Sequence, residues 1–331
     1  MKKKSLKTLI LAGIAAGMLV TMGNAVYADD NVIHIAYVGS GVAYPNDLLG
    51  VAIDQGYLDE ELGALGWSYE GTTFAGGNLV NEALISGEAD FASYGDVPAL
   101  SGKSKGAPTT LLGAEVYAQD AALVVGPDSE INSIEELKGK TVGTLEGSFM
   151  HKVLITMVED NGMTIDDIKF TNMQSADAAA VEAGTIDAAL LSEVQYSIAA
   201  VNGDVKVLLS GGDKNEWRGS AALVSNSKFL EENRDVVTAV MKALVRAYDF
   251  SLNNYDETIA SLAKSGMSEE ALRFRFADQV EFNLRSDEEL ISAMETVQDF
   301  LTGAGISSTE VDLSQWLDSS VLEDAQAALE E

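Results

Sequence analysis

The stretch Asn81 to Leu100, NEALISGEADFASYGDVPAL, constrains the fold more than any other part of the chain. An apolar-patterned helix covers Asn78 to Ser86 and stops at Gly87. A short buried strand, Phe91 to Ser93, follows within a few residues, and the chain then breaks at Tyr94-Gly95-Asp96-Val97-Pro98. Helix, turn, strand and a glycine-containing loop form a repeating unit of open α/β sheets. In such sheets ligands bind at the loops that leave the carboxyl ends of the strands.

The alternation holds on both sides of this unit. Val32 to Tyr37 reads as a first strand, Asn46 to Gln55 as a helix, Trp67 to Thr72 as a second strand and Thr109 to Ala114 as a fourth. A second set starts near Ala121. Its strands are Ala122 to Val125, Thr141 to Thr144, Lys169 to Asn172, Ala188 to Leu191 and Val205 to Leu209. Helices at Ser133 to Leu137, Ser148 to Asn161 and Ala176 to Ala183 separate them. Short apolar runs alternating with helical patterns predict βαβ units. From Ser227 the pattern turns helical, led by Glu232 to Asn253, whose Val236, Val237, Val240, Met241, Leu244, Val245 and Tyr248 fall near one face. The order is α/β, α/β, then α, without repeats or low-complexity tracts.

The first 28 residues stand apart. Lys2, Lys3, Lys4 and Lys7 precede an apolar run, Leu9 to Val20, that is short for a membrane span. Val26-Tyr27-Ala28 then puts small or aliphatic residues at the positions a signal peptidase reads, so a secretory signal cleaved before Asp29 is expected. The chain has no cysteine, so it folds without disulfides and has no cysteine for an N-terminal lipid. A freely diffusing periplasmic protein is the expectation. Formal net charge is −31, from 21 basic against 52 acidic residues. That balance argues against nucleic acid and anionic lipid as partners, and it favours a soluble monomer.

A second motif reads Ser133 to Gly143, SIEELKGKTVG, followed by Thr144-Leu145-Glu146-Gly147-Ser148. Ser133 and Glu136 have the spacing of a capping box. Gly147, Ser148 and Phe149 open the next helix, where free amides suit an anionic group. Taken together, the Asn81 to Leu100 unit and this LKGK helix-strand unit resemble the two domain signatures of substrate-binding proteins of ABC importers, in the nitrate/sulfonate/taurine group. The resemblance covers Val32 to about Ser307. It implies a two-lobed α/β type II periplasmic binding protein fold, with two hinge crossings and a helical C-terminal segment. Residues 29–117 and 223–331 would form lobe I, and residues 118–222 lobe II. The crossings fall near Val116 to Ala121 and Trp217 to Leu223. An ABC permease is the implied partner, and no bond is made or broken.

Candidate ligand residues follow from strand ends. In lobe I they are Ser40 and Gly41 after the first strand, Tyr44 just beyond, Gly76 and Gly77 with Asn78 as helix cap, and Tyr94, Gly95 and Asp96. In lobe II they are Ser148, Phe149 and Glu193. Trp217 and Arg218 lie on the return crossing, where the guanidinium fork suits a sulfonate or carboxylate. Relatives commonly carry a tryptophan and a proline where this chain has Ser192-Glu193-Val194-Gln195-Tyr196, and Glu193 facing the cleft would need a cation to offset it. The primary ligand class is a small organic anion of the sulfonate type. An aromatic heterocycle, such as a pyrimidine or vitamin precursor stacked on Tyr44, Tyr94, Phe149 and Trp217, is the alternative. An enzyme on the same fold is a third reading, with Asp96, Glu193 and His151 as its acid-base groups. The two histidines, His34 (read as packed in its strand) and His151, lie far apart in sequence, so neither a metal site nor a cofactor is expected.

Overall fold

The computed structural model describes residues 31–39, 44–173, 178–280 and 282–330. The expected signal segment, 1–28, lies outside them, as do Ser40 and Gly41. Two five-stranded sheets carry the fold. The first contains β1 (Val32–Val38), β2 (Ser68–Phe74), β3 (Phe91–Gly95), β4 (Thr109–Gln119) and β10 (Gly219–Asn226). The second contains β5 (Ala121–Val125), β6 (Thr141–Thr144), β7 (Lys169–Asn172), β8 (Ala188–Ser192) and β9 (Lys206–Ser210).

The sheets share one plan. Their strand orders are β2-β1-β3-β10-β4 and β7-β6-β8-β5-β9. Three strands of each run parallel, and the strand that arrives from the other sheet pairs antiparallel, β10 on β3 and β5 on β8. In both, the connections reverse direction beside the first parallel strand, at β1/β3 and β6/β8. A crevice opens at such switch points, beyond the carboxyl ends of the strands.

The chain passes from β4 to β5 at Asp120 and returns from β9 to β10 through two short 3-10 turns, Gly211–Asp213 and Asn215–Trp217. Asp120 pins the first crossing. Its Oδ2 accepts from the Tyr196 hydroxyl at 2.7 Å and the Ser210 hydroxyl at 2.8 Å.

The helices are α1 (Leu48–Asp54), α2 (Tyr57–Gly63), α3 (Gly77–Ser86), α4 (Asp96–Ser104), α5 (Phe149–Asp160), α6 (Ala178–Glu182) and α7 (Glu193–Asn202). After β10 come α8 (Ser227–Glu232), α9 (Arg234–Asn253), α10 (Tyr255–Ala263), α11 (Glu269–Phe276), α12 (Glu288–Gly303), α13 (Leu313–Trp316) and α14 (Ser320–Glu330). The apolar face of α9 closes one side of the first sheet. Val237, Val240, Met241 and Leu244 are fully buried with Ile33, Ile35 and Phe91. At about 25 cal/mol per Å² of apolar surface, such burial is the main stabilising contribution to a chain without disulfides.

Several sequence expectations need correction. The helix expected at Asn46 begins two residues later, at Leu48, because Asn46 and Asp47 form the turn that enters it. Asn78 is not a cap: Gly76 occupies that position, and Asn78 is exposed inside the first turn of α3. Ser133 makes no cap bond, since only a four-residue 3-10 turn follows it, and Glu136 instead accepts from the Asn132 amide at 2.8 Å. His34 is not packed away. Its side chain is half-exposed and lies 3.1 Å from the Asp90 carboxylate.

Candidate functional site

A cavity of about 270 Å³ lies between the two sheets. The N-cap residues of four helices line it: Gly76 of α3, Gly95 of α4, Ser148 of α5 and Ser192 of α7. The first-turn amides of a helix have no intrahelical acceptor, and the helix dipole adds partial positive charge there. Two helix starts come from each side of the crevice, because in both sheets a helix follows the carboxyl end of a parallel strand.

Close packing brings these starts together. A Cβ on Gly77 would lie 2.4 Å from Cγ of Pro98, so only glycine lets α3 begin against α4. Tyr94 is buried, and its hydroxyl donates to Asn81 Oδ1 at 2.8 Å. The Asn81 amide in turn donates to the Pro98 carbonyl at 2.8 Å. With its hydroxyl engaged, Tyr94 presents only its ring to the cavity. Opposite, Ser148 donates to the Leu145 carbonyl at 2.7 Å and accepts from the His151 amide at 3.3 Å, which fixes the start of α5. A Cβ on Gly219 would lie 2.5 Å from the Phe149 ring, so glycine on the return crossing makes room for that cavity-lining side chain.

The cavity therefore gathers Gly76, Gly77, Tyr94, Gly95, Ser148 and Phe149 of the residues expected from sequence. Ser40 and Gly41 lie outside the described residues, and the other described candidates are elsewhere. Tyr44 donates to the Gly50 carbonyl at 3.3 Å and does not line the cavity. Asp96 is buried with its carboxylate turned to the return crossing, where it accepts from the Ser220 amide at 2.8 Å and its own neighbour Val97 at 2.7 Å. Burial raises its pKa, partly offset by Lys152 and the amides. Trp217 is buried, and its indole donates to Asp160 at 2.9 Å, so it packs on α5 and does not face a ligand.

Arg218 lines a separate cavity of about 400 Å³ with Asp96, Lys152 and Arg285, and its Nε donates to the Gly211 carbonyl at 3.1 Å. Glu193 is also drawn away. Its carboxylate meets Arg275 at 3.0 Å, so the cation needed to offset it is supplied by α11. His151 stacks on Phe170 at 4.8 Å, and burial lowers its pKa. Its Nδ1 accepts from the Gly147 amide at 3.3 Å, which removes one amide expected at the cleft.

Other cavity walls were not singled out from sequence: Asn46, Asp47, Ser93, Gln119, Val194 and Gln195. A signal for Gln195 was present, since Ser192-x-x-Gln195 is a capping box and forms one here. Ser93 sits at the edge of a carboxyl pair, Asp47 and Glu115. Its hydroxyl bonds Glu115 Oε1, and the Leu49 amide donates to Glu115 Oε2 at 3.2 Å. Burial and the neighbouring Asp47 charge hold Glu115 well above the usual carboxylate range. No basic side chain lines this cavity among the described residues.

The description "NMT1/THI5 like" matches residues 49–258. An aliphatic sulfonates-binding protein of Escherichia coli (strain K12) is 31% identical over 194 residues, 58% of this chain and 60% of that protein. A 4-amino-5-hydroxymethyl-2-methylpyrimidine phosphate synthase of Candida albicans (strain WO-1) is 28% identical over 188 residues, 52% of this chain and 55% of its own length. The match thus spans less than two thirds of both of these relatives. The crystal structure of a sulfonate ABC transporter periplasmic binding protein, SsuA of Methylobacillus flagellatus KT, superposes with a TM-score of 0.78 at 21% identity. It covers 91% of this chain and 96% of that one, and it places this chain in the two-lobed periplasmic binding protein fold. Since the family match runs over more than half of its length, the chain belongs to the NMT1/THI5-like family.

Proposed function

We propose that the chain is the solute-binding subunit of an ABC importer, working in the periplasm after loss of its signal segment. It captures a small organic anion of the aliphatic sulfonate class between its lobes and presents the closed form to a membrane permease. Lobe I is built on the first sheet, which the chain leaves after Gln119 and rejoins at Gly219, so the expected bounds at 117 and 223 shift by a few residues in its favour, and lobe II is built on the second sheet. The observation that carries this reading is the meeting of four helix N-termini, two from each side, at one cavity whose wall combines glycine backbone, Ser, Asn and Gln side chains and the Asp47 carboxyl with the Tyr94 and Phe149 rings. A sulfonate stays ionised at any physiological pH, so amides and helix dipoles hold it without a counter-ion. Binding both sides at once shifts the open-closed equilibrium toward closure. The sulfonates-binding relative supports the same class.

The enzyme reading draws on the synthase relative. It lacks support in the site, because Asp96, Glu193 and His151, its acid-base candidates, do not line the cavity. The test is thermal unfolding of the chain from Asp29 onward against taurine, methanesulfonate, nitrate and pyrimidines. A ligand that binds only the folded state raises Tm by mass action, by an amount that grows with its concentration. A concentration-dependent rise with the sulfonates is expected. A rise with the pyrimidines alone would overturn the sulfonate assignment.

A further inference from the structure

The α11 helix ends at Phe276, and the following residue, Ala277, has φ 47°, a backbone region that a Cβ disfavours. The Tyr255 hydroxyl bonds the Ala277 carbonyl and holds this strained turn. Arg275, just before it, is therefore fixed in direction. Its side chain is 1% exposed and lies over the Phe276 ring at 4.4 Å. The guanidinium faces two groups on opposite sides of the crevice. Nε donates to Glu193 Oε2 at 3.0 Å, and Nη1 donates to the Asn46 carbonyl at 2.9 Å and to its Oδ1 at 3.3 Å.

Both partners stand at the cavity, one in its wall and one just behind it. Asn46 lines it directly, and Glu193 lies between Ser192 and Val194, which also line it. Each side rests on its own sheet, and α11 also packs on α7, with Val194 in the same buried cluster and Phe274 edge-on to Tyr196 at 6.3 Å. Ala271 and Leu272 of α11 are buried with β1 and β3 of the first sheet. Tyr196 and Ala199 of α7 are buried with β5 and β8 of the second. We propose that Arg275 is a positioning residue for ligand capture: its fork sets the Asn46 turn against the head of α7 at the spacing a bound solute spans, and the ion pair parts when the lobes open. The link to capture rests on the reading of this cavity as the solute site. Taking two ions out of water offsets most of their attraction, so the pair adds little net stability. Its effect is orientation. A rigid planar fork with two separate acceptors selects one closed arrangement, which a lysine, with a single flexible ammonium, does not reproduce.

The chain has no native cysteine. Spin labels at Glu82→Cys on α3 and Glu182→Cys on α6, both exposed positions, therefore report the distance between the lobes without background. That distance distribution is compared in the parent, Glu193→Gln and Arg275→Lys proteins, without ligand and with taurine or methanesulfonate. Circular dichroism confirms that each variant is folded. In both variants the ligand-free distribution is expected to broaden toward longer distances, and where the parent binds a sulfonate its affinity is expected to fall tenfold or more. A parent indifferent to both sulfonates, with variants that still open, would sink the sulfonate reading and leave the positioning role standing. Distributions in both folded variants that superpose on the parent would overturn the role of Arg275.

Discussion

At the residue scale, the carboxyl pair beside the cavity sets a pH dependence. Glu115 is fully buried and its folded pKa lies well above the value it has in an unfolded chain. Between those two values the native state holds a proton that the unfolded state has released. Stability contributed by this group is therefore full below the unfolded value and falls as pH rises toward the folded one. Each tenfold displacement of that equilibrium is about 1.4 kcal/mol. Glu115→Gln mimics the protonated form: its oxygen accepts from the Leu49 amide while its NH2 donates to the Ser93 hydroxyl, which can turn to accept. Its Tm is expected to exceed the parent's at pH 8 and to match it near pH 4.5, as read by calorimetry across that range. A parallel pair of curves would place the retained proton elsewhere.

At the element scale, the helix starts decide both stability and capture. Ser148 caps α5 while lining the cavity. Ser148→Ala is expected to cost about 1 kcal/mol, the usual loss for an N-cap, and to weaken sulfonate binding through the loosened α5 start; denaturant melts and calorimetric titration separate the two effects. Gly77 is a stricter case. A side chain there meets Pro98 and the Tyr94 ring, so Gly77→Ala displaces α3 from α4. Overpacking of this kind costs about 1–3 kcal/mol, and affinity for taurine should drop together with Tm. By contrast, Asn78→Ala is expected to leave both unchanged, since Asn78 is exposed and caps nothing.

At the scale of the whole molecule, charge dominates. An excess of acids this large repels itself in the compact state. Salt screens that repulsion over about 10 Å at 0.1 M. Raising NaCl from 10 to 150 mM is expected to raise Tm by a few degrees, on the order of the 2–4 °C that 1 kcal/mol produces in a domain of 150–250 residues. A flat or falling Tm over this range would mean that ion pairs such as Arg246 with Glu60 and Glu61 offset the repulsion.

The sequence by itself determined the order of elements, because strand and helix periodicities are local, and the glycine and N-cap residues that punctuate them are local too. Strands Thr141–Thr144 and Lys169–Asn172 begin and end where the pattern puts them. It also marked the loops after β2, β3 and β6, whose Gly76, Gly95 and Ser148 meet at one cavity. Only the tertiary structure decided where side chains with several possible partners point. Asp96 turned to the Ser220 amide, Trp217 to Asp160, and Arg218 into a second cavity. Each choice depends on a group more than 50 residues away, or on which side of a crossing strand the chain leaves, and neither is written in a local pattern. The tie of Glu193 to Arg275, 82 residues apart, shows the same limit. A buried carboxylate requires a cation, but only the packing of α11 on α7 selects which one.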